Sequence, residues 1–122
     1  MKKLIVNADD FGLHTEVNKA VIKGYQQGCL RSTSLMPTGA AVEEASQLAR
    51  QNPELGIGIH ITLVAEKPVL PLDKVSTLVD EQGHFHADHM VFIKKYLQGQ
   101  IDKEQLYAEC EAQIAKAMSL GL

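Results

Sequence analysis

Short apolar runs alternate with amphipathic stretches along the first half of the chain. Residues 4–6 form an apolar run bounded by polar residues, which predicts a buried first strand. Residues 32–36 and 56–63 predict a second and a third strand. The stretches between them repeat apolar positions at helical spacing and predict helices over 15–28, with a threonine cap at its start, and over 39–51. Strands that alternate with helices in this way indicate βαβ units and a parallel sheet.

The second half of the chain predicts irregular and helical structure. Residues 64–75 contain two prolines and are predicted to be a loop, and a turn at 80–83 between apolar residues predicts a small surface hairpin. Residues 89–98 predict a helix, and a further helix begins at Asp102, which pairs with Gln105 as a cap. The apolar stripe of this last helix consists of Leu106, Cys110, Ile114, Ala117 and Met118. Such a face needs a sheet to cover it.

Chain length limits the fold that these elements can form. The 122 residues are enough for one domain. A (β/α) barrel, by contrast, takes about 250 residues. We therefore expect an α/β fold, namely an incomplete (β/α) barrel-like fold with parallel strands and a small surface hairpin insert. Residues 1–122 are expected to be the N-terminal part of one such domain, with the C-terminal part absent.

Composition and charge exclude several classes of function. Hydrophobic residues make up 45% of the chain and charged residues 22%, which permits a core and argues against disorder. The formal net charge of -3 gives no electrostatic case for nucleic acid or an anionic membrane. The sequence has no stretch typical of a membrane span or a signal peptide. Cys29 and Cys110 are far apart in sequence and are predicted to be free, buried thiols of a cytoplasmic protein.

Asp9 and Asp10 are the first candidate functional residues. They lie at the end of the predicted first strand, where desolvation and mutual repulsion disfavour two adjacent charges. A bound metal, with one carboxylate left free as a base, compensates this cost and is the arrangement of a metal-assisted hydrolase. Aspartates also cap turns and helices, and the pair by itself does not distinguish the two interpretations.

His60 is the second candidate and lies in an apolar run at the third predicted strand. Functional residues of a parallel α/β sheet collect at the carboxyl ends of its strands, where His60 and the Asp pair both lie. A histidine in such a run is either a hydrogen-bonded core residue or a ligand, and the Asp pair favours a divalent ion such as zinc. Asp and His together give two ligands, fewer than a catalytic site normally has. His84, His86 and His89 flank a turn and are predicted to be solvated surface residues.

Several segments resemble the YdjC-like carbohydrate deacetylases in their order and spacing. They are Asn7-Ala8-Asp9-Asp10-Phe11-Gly12, Val17-Asn18, Ser32-Thr33-Ser34-Leu35-Met36, Gly58-Ile59-His60-Ile61-Thr62-Leu63 and, as the family's insert, residues 78–85. The resemblance implies a (β/α) barrel-like fold and a metal-dependent hydrolase that removes N-acetyl groups from amino sugars or chitooligosaccharides. His14 and residues 64–66 depart from the residues usual in the family.

The same resemblance implies roles for the candidate residues. Asp10 and His60 would bind a divalent metal ion, magnesium or zinc, and Asp9 would be the general base. A third ligand, another histidine, would lie beyond Leu122. The implied partner is an N-acetylated sugar or oligosaccharide, with no nucleic acid and no membrane, and the chain is compatible with a homodimer.

Two other interpretations stay open. In the first, the metal site acts on a phosphoester or on another amide, although the sequence has neither a phosphate-binding glycine-rich loop nor an arginine cluster. In the second, the chain is a non-catalytic fragment or binding module with an incomplete metal site, which the missing third ligand supports. Release of acetate from N-acetylated oligosaccharides would exclude this second interpretation.

Overall fold

The computed structural model describes residues 2–121, which contain a three-stranded sheet and four α-helices. The elements are β1 (Asn7–Phe11), α1 (Thr15–Gln27), β2 (Ser32–Leu35), α2 (Val42–Gln51), β3 (Gly56–Ile59), a 3-10 turn (Leu72–Lys74), α3 (His89–Leu97) and α4 (Lys103–Ser119). These residues divide into two compact units, the first through His60 together with the chain from Ala117 onward, the second over Ile61–Lys116. Every helix in the described part of the chain is too short or too polar to span a bilayer.

The strands form a parallel sheet in the order β1-β2-β3. This confirms the predicted α/β class with parallel strands, whereas closure into a barrel-like fold stays a prediction. The predicted strand over 4–6 is wrong, because β1 begins at Asn7 and Leu4 and Ile5 are 87% and 78% exposed. The ladder starts where Asn7 lies opposite Ser32. Local hydrophobicity cannot show this start, since the neighbouring strand decides it.

The two faces of the sheet differ in polarity. Leu35, with the partly buried Ala8 and Ile57, packs into the core of the first unit. The other buried members of this core are Phe11, Val21, Leu30, Val42, Ala45, Ala49, Leu55 and Ala117. Side chains alternate between the faces of a strand, and Asn7, Ser32 and Ser34 are joined by hydrogen bonds on the opposite face.

The starts of the first two helices differ from the prediction. His14, not Thr15, is the N-cap of α1, and its ring Nδ1 accepts a hydrogen bond of 3.2 Å from the Glu16 N–H. The second helix begins at Val42 instead of residue 39. Gly39 lies so close to the backbone of Gly12 that an added Cβ would stand 2.2 Å from the Gly12 carbonyl oxygen. The chain therefore passes residue 39 in a tight turn before the helix starts.

The second unit has its own small core. Val75, Leu78, Phe85 and Ile101 are buried together. An isolated antiparallel bridge joins Val79 to Phe85, and the Gly83 N–H donates to the Asp80 carbonyl at 3.1 Å, which confirms the predicted hairpin insert.

The prediction that all three histidines near the hairpin are surface residues is wrong for His86. His86 is 7% exposed, and its Nε2 lies 3.4 Å from the Thr77 carbonyl oxygen. The segment before the hairpin covers it, because the Ala65 N–H donates to the His86 carbonyl. His84 is half-buried, and His89 is exposed as predicted.

Helix α4 buries only part of the predicted stripe. Ala117 is buried and Cys110 is half-buried, but Ile114 and Met118 are 41% and 66% exposed. Cys29 is exposed, so the predicted burial of the two thiols is wrong. Glu109 and Gln113, outside that stripe, are completely buried. Both polar side chains bond to the backbone of an irregular segment over 62–70. Backbone groups in such a segment need partners once they are buried, and this need outweighs the apolar pattern of the helix.

The start of α4 agrees with its predicted cap. The Asp102 carboxylate accepts from the Glu104 N–H at 2.8 Å. Gln105 does not complete a reciprocal cap, because its side-chain oxygen accepts from the Thr77 N–H at 2.9 Å.

Candidate functional site

The Asp pair lies in a β-bulge at the end of β1. Ala8 pairs with Thr33 and Phe11 pairs with Leu35, so Asp9 and Asp10 together lie opposite one residue of β2. Asp10 has φ of +65°, in the left-handed region that aspartate tolerates better than most residues. A bulge re-aims side chains, and bulges are common beside active sites. The pair therefore lies within β1, close to its carboxyl end at Phe11.

A tight turn continues from Asp10 and packs against the start of α2. The Leu13 N–H donates to the Asp10 carbonyl at 3.0 Å, and the Gly12 carbonyl accepts from the Ala41 N–H at 2.8 Å. Gly12 has φ of +100°, a conformation that a side chain would strain. The close approach of Gly39 described above completes the packing of this turn.

His60 lies at the carboxyl end of β3 and meets Asp10. Its N–H donates to the Leu35 carbonyl at 2.7 Å, which extends the pairing with β2 by one residue. Its ring Nδ1 is 3.3 Å from Asp10 Oδ1, and both side chains are partly exposed, at 35% and 49%. The structure therefore brings together the two residues that the sequence predicted as metal ligands.

The donor set of this pair fits a divalent ion. A carboxylate oxygen and an imidazole nitrogen are ligands that zinc accepts, with bonds of about 2.0–2.2 Å. A separation of 3.3 Å between the two atoms is in the range expected for neighbouring ligands of one such ion. Residues 2–121 contain no cluster of three His, Cys, Asp or Glu side chains placed to hold a metal. The roles of Asp10 and His60 as ligands accordingly stay predictions.

Asp9 lies in a different environment from Asp10. Its Oδ1 accepts a hydrogen bond of 3.0 Å from the Asn7 side-chain amide. That amide also donates to Ser34 Oγ at 3.1 Å, and Asn7 Oδ1 accepts from Ser32 Oγ at 2.7 Å. The polar face of the sheet thus orients Asp9, while Asp10 is turned toward His60. The two carboxylates therefore lie in different environments, and their roles as base and ligand stay predictions.

Asn18 is the residue near the site that the sequence analysis left without a role. It is completely buried in α1, and its Oδ1 accepts from the Gly12 N–H at 2.8 Å. The sequence does contain one indication of this burial: Asn18 lies one helical turn before the buried Val21, on the same side of α1. Three residues of the family-like segments also have contacts that the sequence did not predict, namely Asn7, Ser32 and Ser34.

Comparison with known proteins identifies the family. The model of the YdjC-like protein family matches residues 3–122. The chain belongs to the YdjC-like family. Among relatives of this YdjC-like chain, a carbohydrate deacetylase of Thermoanaerobacter pseudethanolicus is 48% identical over 122 residues, covering all of this chain and 47% of the relative. A carbohydrate deacetylase of Enterococcus faecalis is 40% identical and is matched over 98% of this chain and 45% of the relative.

A solved structure agrees with the fold of the YdjC-like chain. The crystal structure of a candidate cellobiose-phosphate cleavage protein from Enterococcus faecalis aligns with a TM-score of 0.88 at 39% identity. The alignment covers 99% of this chain and 45% of that one. The YdjC-like chain spans about half the length of the curated relatives it matches.

Proposed function

We propose that this chain carries the general base and two metal ligands of a metal-dependent carbohydrate deacetylase. The reaction would remove N-acetyl groups from amino sugars or chitooligosaccharides. One observation carries the proposal: Asp10 Oδ1 and His60 Nδ1 converge at 3.3 Å, with Asp9 as the adjacent residue. The names of the relatives, carbohydrate deacetylases, support the same reaction.

Asp10 and His60 would hold the ion, either zinc or magnesium. Their mixed oxygen and nitrogen donors favour zinc, because magnesium prefers oxygen ligands. When bound, such an ion lowers the pKa of a coordinated water and polarises a carbonyl.

Asp9 would accept a proton from the water that attacks the acetamide carbonyl. Asn7 donates to Asp9 Oδ1, so the second carboxylate oxygen is the one left for this proton. The water oxygen bonds to the carbonyl carbon, the carbon–nitrogen bond breaks, and acetate and the free amine of the sugar are the two products. The amine gains, as it departs, the proton that the water gave up, so water is added across the broken bond.

Replacement of Asp9 tests the proposal. In the complete protein, Asp9→Asn should lower kcat for acetate release from a chitooligosaccharide by about 100- to 10,000-fold, because general-base catalysis contributes this much. Zinc content, measured on the same preparation, should be unchanged. Loss of zinc in Asp9→Asn but not in Asp10→Asn would reverse the two roles.

Two alternative functions predict other outcomes when the unmodified protein is assayed with a sugar substrate. The absence of a three-ligand cluster among residues 2–121 favours a binding module, for which the unmodified protein would bind sugar and release no acetate. The solved relative is named for cleavage of cellobiose-phosphate, which favours a sugar phosphate as substrate. Cleavage of cellobiose-phosphate without release of acetate from a chitooligosaccharide would identify that reaction.

A further inference from the structure

Asn18 is buried in a way that packing alone does not explain. It is 0% exposed, and every polar atom of its side chain has a partner. Oδ1 accepts from the Gly12 N–H at 2.8 Å, and Nδ2 donates to the Ala41 carbonyl at 3.0 Å and to Glu44 Oε2 at 2.8 Å. A buried amide is tolerated only when it is bonded in this way, and its bonds then fix its surroundings.

The partners of Asn18 surround the turn that follows Asp10. Gly12 is the third residue of that turn, and Ala41 donates in return to the Gly12 carbonyl. Asn18 therefore joins the turn to the start of α2 through a single side chain. Asp10 is a non-glycine residue at positive φ, a conformation that persists where the surrounding structure enforces it.

The direction of the Asp10 carboxylate depends on this backbone. If Asp10 relaxed to an ordinary negative φ, its side chain would leave the position from which Oδ1 stands 3.3 Å from His60 Nδ1. We propose that Asn18 is a positioning residue, which holds the turn after Asp10 and thereby keeps the Asp10 carboxylate beside the His60 ring. The consequence for metal binding rests on the function proposed above.

Three variants of the complete protein separate this role from a merely structural one. Asn18→Leu removes all three hydrogen bonds of the side chain. Asn18→Asp combined with Glu44→Gln keeps an acceptor for the Gly12 N–H and reverses the bond to residue 44, but it loses the bond to the Ala41 carbonyl, so it is a partial rescue variant. Gln26→Ala is the matched control, because it removes another bond of α1, from Gln26 to Asn52 at the end of α2 at 3.1 Å, that does not involve the turn.

Crystal structures and zinc titration are the two measurements. In Asn18→Leu, Asp10 should leave positive φ and its distance from His60 should exceed 3.3 Å. Zinc affinity, measured by calorimetry, should fall about 10- to 100-fold, as it does when a group that orients a ligand is lost. Gln26→Ala should stay within about two-fold of the unmodified protein, and the partial rescue variant should bind zinc more tightly than Asn18→Leu.

Opposite results would overturn the inference. It is wrong if Asn18→Leu keeps the Asp10 conformation and the His60 contact, or if its zinc affinity changes no more than that of Gln26→Ala. If Asn18→Leu does not fold, the single variant Asn18→Asp is compared with the double variant Asn18→Asp, Glu44→Gln. The carboxylate at position 18 faces Glu44 in the single variant only, so equal zinc affinity of the two variants would refute the role. An unmodified protein that binds neither zinc nor magnesium would refute the metal-dependent function, whereas the crystal structures would still decide the role of Asn18.

Discussion

The turns at Asp10 and Asp80 begin alike in sequence and differ in what their carboxylates do. Each has an aspartate followed within three residues by a glycine at positive φ, Gly12 or Gly83. The Asp80 carboxylate accepts from the Gln82 and His84 N–H groups at 2.9 and 3.0 Å, so it closes its own turn. The Asp10 carboxylate instead lies against His60, fifty residues away in sequence.

The difference shows how a fold frees an aspartate for chemistry. Asp80 caps its own turn, because its carboxylate accepts hydrogen bonds from neighbouring backbone N–H groups. At Asp10, distant groups hold the turn: Asn18 from α1 and Ala41 from the start of α2 bond to the Gly12 backbone. The carboxylate of Asp10 is then available for a residue on another strand.

The largest loss of stability is expected from substitution of Gly39, which packs against the Asp10 turn. Gly39→Ala would place a Cβ 2.2 Å from the Gly12 carbonyl oxygen, a backbone atom that cannot move aside. The free energy of unfolding should fall by about 3 kcal/mol or more, measured by urea denaturation.

Two further glycines are controls for Gly39→Ala. Gly83→Ala should cost about 1–2 kcal/mol, mainly for its positive φ, because the nearest atom is the end of the flexible Leu72 side chain. Gly58→Ala should be neutral or stabilise by up to about 1 kcal/mol, since its Cβ would meet only the Thr33 carbonyl oxygen, at 3.8 Å. Equal losses for all three would show that the Asp10 turn is no more dependent on distant contacts than the Asp80 turn.

The second prediction compares the two aspartates directly. Asp10→Asn should lower zinc affinity by at least about 100-fold, because it removes a proposed ligand while asparagine still tolerates positive φ. Asp80→Asn should leave affinity within about two-fold, because its amide oxygen can still accept in the turn. Calorimetric titration of both variants measures this difference. A similar loss in both would refute the distinction between the two aspartates.

The smallest effect is the pH dependence of the Asp80 turn. Backbone hydrogen bonds, first from His84 and then from Gln82, lower the pKa of Asp80 below its ordinary value of 3.8. A lowered pKa in the folded state stabilises the fold above the unfolded pKa, and this stabilisation is lost as the pH falls through the folded pKa.

Urea midpoints from pH 6 to pH 3 measure this effect. The stability advantage of the unmodified protein over Asp80→Asn should be constant near neutral pH and shrink below about pH 4. A difference that grows as the pH falls would contradict the assigned direction.

The candidate site could be predicted from the sequence only in part. Asp9, Asp10 and His60 were found because charged and ligand-type residues adjoin apolar runs at the ends of strands. Asn18 received no role, because its partners are backbone groups of Gly12 and Ala41 that no pattern along the chain brings together. The same holds for Asn7, whose contacts with β2 depend on the register of two strands.

The sequence by itself determined the alternation of strands and helices, the parallel α/β class and the residues from which a site can be built. These follow from periodicity and local residue chemistry, which act over a few neighbouring positions. Only the tertiary structure decided that β1 starts at Asn7, that α4 buries Glu109 and Gln113, and that Asp10 faces His60. Each of these depends on hydrogen-bond partners supplied by distant parts of the chain, and the need to satisfy buried backbone groups then outweighs local preference.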